Sequence, residues 1–179
     1  MGRRRVPKEK KGKRVTVKLI ARKIGEKITE TYKIMEGLIK TDRADLKDLK
    51  IGMAWRLGWR ADPYGVLTLG QCRKRGDLDR ELDDYDLVIL LNAEAYPALQ
   101  DREKERLIYH ELMHAQIVTY ADDQPKKNDR GRIVLRIRKH DISAFRSELQ
   151  KYGDENLSEI AKIRIVDADS PLIQTAPTG

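Results

Sequence analysis

Residues 101–118, DREKERLIYHELMHAQIV, restrict what this chain can fold into more than any other stretch. They open with a charged turn and a half that places Asp101 and Glu103 where a helix N-terminus favours negative charge. From Leu107 onward, Leu107, Ile108, Leu112, Ala115, Ile117 and Val118 spread apolar surface around most of a helix, as suits a buried central helix. Inside that helix lies His110-Glu111-Leu112-Met113-His114, with two of the chain's three histidines. Residues four apart on a helix sit one turn above each other, so both imidazoles can reach one ion. At roughly 3.6 residues per turn, Glu111 lies about 100° round from His110. That puts it beside such an ion, where a general base takes a proton from the attacking water. The plain alternative is a pair of ordinary helix histidines bonded to their neighbours. Against it, two imidazoles and a carboxylate in a buried helix are costly without partners, and Zn²⁺ supplies one.

Two histidines do not complete a catalytic zinc site, which takes three protein ligands and keeps one position for water or substrate. The remaining histidine is His140, at the junction between an alternating segment and a following helix. It is the expected third ligand. Asp141 is its main rival, able to ligate, to orient a ligating imidazole or only to cap its helix. Glu148, further along that helix, is the weaker candidate. A longer motif with a third histidine six residues after the second is excluded, because Tyr120 stands there.

The rest of the chain reads as one α+β domain over residues 15–165, between a basic tail (1–14) expected to be disordered and a loose tail (166–179). Residues 15–24 are ambiguous between an extended segment and a helix start. Ile28, Tyr32, Met35, Leu38 and Ile39 recur at helical spacing over 26–40, and residues 45–49 read as a short helix or turn. Strands are expected over 55–59 and 66–73, with a turn over 74–77. The apolar run 87–91 (LVILL) predicts a strand covered on both faces. After the central helix, 122–130 is a polar loop. Ile133, Leu135 and Ile137 alternate with Arg132, Arg136 and Arg138, predicting a half-buried strand with a basic outer face. Helices are expected over 142–152 and 157–165.

Charge and cysteine content narrow the setting. The net charge is +8, and residues 2–14 alone carry eight Lys or Arg against one Glu. Such runs are usually solvated, with nucleic acid as the candidate partner of the tail and of Arg132, Arg136 and Arg138. No apolar stretch approaches a membrane span, and no secretory leader pattern follows the basic start. A lone cysteine, Cys72, permits no internal disulfide, so a cytoplasmic protein without membrane attachment is the expectation.

In order, Asp86-Leu87-Val88-Ile89, His110-Glu111-Leu112-Met113-His114, His140-Asp141-Ile142 with Phe145, and Tyr152-Gly153 resemble the putative phage metallopeptidase family over about residues 26–155. Met113 stands where that family often has cysteine, and Ala144 where an acidic residue is expected. The family looks distantly related to the SprT-like zinc peptidases. That resemblance implies a minimal zincin-like fold, a small mixed sheet packed on the active-site helix. It also implies a protein or peptide substrate laid along a sheet edge, for which 87–91 is the candidate. Tyr109 and Tyr120 are candidate oxyanion donors, with core packing the more ordinary role for both. The residues themselves predict a zinc peptidase with His110, His114 and His140 as ligands and Glu111 as base. The rival is a nucleic-acid-associated module whose zinc site is structural or vestigial.

Overall fold

A continuous apolar run must be covered on both sides, and Leu87–Asn92 (β7), buried at all six positions, is an inner strand of the sheet. The computed structural model describes residues 15–63, 65–139 and 151, and the backbone of 163 and 164. The fold is α+β, with a four-stranded mixed sheet at its centre. β1 (Thr16–Leu19) pairs antiparallel with β4 (Ile51–Leu57), and β4 runs parallel to β7. On the other side of β7 lies β6 (Gly70–Lys74), antiparallel to it. A parallel pair needs a crossover. The chain between β4 and β7 supplies it, carrying β5 (Val66–Leu67), β6 and the short helix α2 (Asp77–Asp83).

Register decides what each face meets. Met53, Ile89 and Cys72 lie opposite one another on β4, β7 and β6. They belong to the main core with Tyr32, Met35 and Leu38 of α1 (Glu30–Thr41) and Leu107, Ile108 and Leu112 of α3 (Asp101–Met113). The next residues along, Ala54, Val88 and Leu90, form a second cluster under Trp59 and Tyr85. Tyr85 comes so close that a Cβ on Gly52 would meet its ring at 3.0 Å.

One corner ties the crossover together. Buried Asp86 accepts from the Lys50 N–H at 2.9 Å and from Nε of buried Arg80 at 3.0 Å. Arg80 Nη2 also bonds Asp86 and donates to the Ile133 carbonyl at 3.0 Å. The start of β4, helix α2 and the 133 segment thus share one buried ion pair.

Several expectations shift. Residues 15–24 resolve as extended: β1, then a hairpin of β2 (Lys23–Ile24) and β3 (Lys27–Ile28) turned by Gly25 at φ +62°. Ile28 therefore sits in the hairpin, and α1 begins at Glu30. Residues 66–73 split into β5 and β6, and the turn expected over 74–77 leads into α2. The central helix stops at Met113, and Ala115–Ile117 is strand β8, paired antiparallel with β9 (Leu135–Ile137). Ile117, Val118 and Thr119 are β-branched and favour the extended state. Ile163–Arg164 (β10) pairs with β5, where a helix was expected. Residues 1–14 and 165–179, and all but residue 151 of the helix expected over 142–152, fall outside the described residues. Among the described residues, no helix is long and apolar enough to cross a membrane.

Candidate metal centre

Helix α3 is fixed at both ends. At its start the Gln100 N–H donates to the Glu103 carboxylate at 2.7 Å, with Asp101 and Glu103 in the first turn. At its end His114 closes the helix with helical dihedrals, its N–H reaching the Glu111 carbonyl at 3.3 Å. The last carbonyls of a helix have no intrahelical partner. Here the buried Arg43 guanidinium meets one of them, bonding the Leu112 carbonyl through Nη1, and also bonds the Ala115 carbonyl at the start of β8 through Nη2 at 2.7 Å.

With the helix stopped, β8 departs and β9 returns beside it. Just past β9, the Arg138 N–H donates to the His114 carbonyl at 2.8 Å. The Arg138 carbonyl in turn lies 2.7 Å from His114 Nδ1. A carbonyl only accepts, so Nδ1 carries the proton and a neutral ring leaves the Nε2 lone pair for a metal.

The two histidine rings stand 5.1 Å apart, centroid to centroid, at 77°. An edge-to-face ring pair also falls in that range. Distance alone does not decide, so the geometry of a shared ion is the sharper test. Zn–N bonds of about 2.0–2.1 Å place each ring centre about 3.2 Å from the ion, and a tetrahedral angle of about 109° then separates the centres by about 5.2 Å. The separation and the fixed Nδ1 proton both suit one ion held between the rings.

Glu111 is buried, 4 % exposed, between α3 and the edge of the sheet. Its carboxylate lies over the backbone of Gly70 on β6: a Cβ there would stand 2.6 Å from Oε1. Glycine is what gives the carboxylate its seat. Two residues along the same face, buried Cys72 has its thiol pushed up, first by burial and then by the Glu111 charge, with Arg43 pulling the other way.

Of the expected site residues, His110 and His114 come together, and Glu111 reaches over Gly70 of β6. His140, Asp141 and Glu148 lie outside the described residues, among which no group of three or more His, Cys, Asp or Glu forms a metal set. Tyr109 is buried, with the Lys151 ammonium 4.8 Å from its ring centre. Tyr120 is 54 % exposed, so core packing is not its role. Arg132 pairs with Asp84 at 3.3 Å and Arg136 donates to Gln116 at 2.8 Å, as a solvated strand face does. The apolar strand 87–91 is not a sheet edge: β7 lies between β4 and β6, and β6 is the outer strand beside Glu111. Arg43, Gly70 and the Arg138 backbone escaped the sequence reading. A glycine inside a strand pattern was the one available signal, marking a close approach.

The family model described as putative phage metallopeptidase matches residues 25–164, which is 140 of 179 residues. Searches of curated proteins and of solved structures each found no match.

Proposed function

Because the chain belongs to the putative phage metallopeptidase family, we propose that it is a zinc-dependent peptidase, with His110, His114 and His140 as ligands and Glu111 as general base. The observation that carries this reading is the His110–His114 pair, with Nδ1 of His114 committed to the Arg138 carbonyl and Glu111, the residue after His110, seated over Gly70. A bound zinc ion supplies Lewis acidity, making water nucleophilic near neutral pH and polarising the substrate carbonyl.

The chain's own residues do the rest. The Arg138 carbonyl holds the His114 ring in one tautomer and one orientation. Glu111 accepts the proton of the attacking water as the new C–O bond forms. It then gives that proton to the departing amine nitrogen as the C–N bond breaks. His140, two residues after Arg138 in the sequence, is proposed as the third ligand. Asp141 remains its rival as third ligand. An extended peptide added to the outer edge of β6 would pass Gly70 and bring its carbonyls to the Glu111 side.

The test compares the purified protein with Glu111→Gln, measuring bound zinc and cleavage of an unfolded protein. Both forms should hold zinc, while cleavage falls about 10²–10⁴-fold in the variant. Equal behaviour of the two forms, together with salt-sensitive DNA binding, would overturn the peptidase reading in favour of a nucleic-acid module.

A further inference from the structure

A guanidinium has five N–H donors in a planar fork, and a buried one must find acceptors for them. Arg43 finds all five. Nε and Nη2 grip the two oxygens of Asp45 at 2.9 and 2.8 Å. The second Nη2 proton goes to the Ala115 carbonyl at 2.7 Å, and Nη1 reaches the Leu112 carbonyl and, at 3.7 Å, the Met113 sulfur. Arg43 lies just beyond α1, 69 residues before Leu112.

The acceptors bracket two residues. Leu112 and Ala115 lie on either side of the Met113-His114 pair, so the backbone carrying the second histidine is held from both sides. In a continuing helix the Leu112 carbonyl would bond the N–H of residue 116. Arg43 takes that carbonyl instead, and Gln116 is released into β8. Only because β8 leaves the helix axis there can β9 return and deliver Arg138 to the His114 ring. Positive charge is also what a helix C-terminus favours.

We propose that Arg43 is the positioning residue of the metal centre: its fork ends α3 at the second histidine and fixes the ring's place relative to His110. This inference rests on reading the His110–His114 pair as a metal site. A lysine cannot do the same, having one ammonium where the site needs a planar fork that spans two carbonyls and a carboxylate.

The test measures Zn²⁺ affinity by competition with a chromophoric chelator, and the visible spectrum of the Co²⁺-loaded protein. The forms compared are the full-length wild type, Arg43→Lys and Asp45→Asn, with the melting temperature of each metal-free form as the control on folding. Arg43→Lys should bind Zn²⁺ about 10–100-fold more weakly, as loss of a group that orients a ligand does, and should shift the Co²⁺ spectrum. Asp45→Asn keeps the arginine but loosens its grip, and should weaken binding by less. Folded Arg43→Lys with wild-type affinity and an unchanged spectrum overturns the inference. If Arg43→Lys does not fold, unchanged affinity in Asp45→Asn overturns it in its place. A wild type that takes up neither ion sinks the metal reading itself, an outcome distinct from failure of Arg43 alone.

Discussion

Of the three arginines buried among the described residues, Arg43 and Arg80 have their charges met in opposite ways. Arg80 faces a carboxylate as buried as itself, and Asp86 uses its other oxygen on the start of β4. Arg43 has a carboxylate partner that is 51 % exposed and spends its inward donors on backbone carbonyls. The first arrangement joins the start of β4, α2 and the 133 segment, elements far apart in the chain. The second joins α1's end to the last turn of α3 and to little else. A fold is held at one corner and a site at the other, so lesions in the two should be separable.

The largest effect should come from breaking the first corner. Asp86→Ala leaves Arg80 charged and buried without its carboxylate, and should cost about 3–5 kcal/mol in urea unfolding. Zn²⁺ affinity, expressed per folded molecule, should stay at the wild-type value. Parallel loss of both would dissolve the distinction.

Gly70→Ala works from the other side. Its methyl would occupy the space now filled by Glu111 Oε1, so the carboxylate has to move. Overpacking of this kind costs about 1–3 kcal/mol. A general base displaced by an ångström costs about 100-fold in turnover. Zinc content should not change. Wild-type turnover in this variant would mean that the carboxylate's seat on β6 is irrelevant to chemistry.

The smallest effect sharpens the comparison at Cys72. Its thiol is raised in the folded protein by burial and by Glu111, so the unfolded chain loses that proton first as pH rises. Above the ordinary thiol value of 9.0 the native state therefore holds more protons, and its stability declines with pH. The slope is at most about 1.4 kcal/mol per pH unit for one proton. Stability to urea between pH 8 and 10 should fall more steeply in the wild type than in Cys72→Ala, whose remaining slope near pH 10 comes from Tyr32 and Tyr96, both raised by burial. Parallel curves would place the thiol outside the influence of Glu111 and of burial.

What could be read from sequence follows the range of the forces involved. The His110–His114 spacing, the buried run at 87–91 and the inward face Tyr32, Met35 and Leu38 are local patterns, and each appears in the structure as expected. The end of α3 was not legible, because the group that ends it lies 69 residues away. Helix α2 was missed because it has no buried apolar stripe: Leu78 and Leu82 are exposed, and its anchor is the charged Arg80. The rank of β7 within the sheet was misjudged for a related reason. Apolarity says that a strand is covered, while strand order depends on a crossover that no window of sequence contains.

The pairing of β8 with β9 has one further consequence. Their ends are pinned by the ladder and by the two bonds between His114 and Arg138. The exposed tip of the excursion between them, residues 119–125, therefore hangs from a closed clasp. Doubling such a segment costs only about 0.6 kcal/mol in closure entropy. Natural drift or deliberate grafting can thus resize this excursion and retune what docks near the centre, while the geometry of the clasp stays as it is.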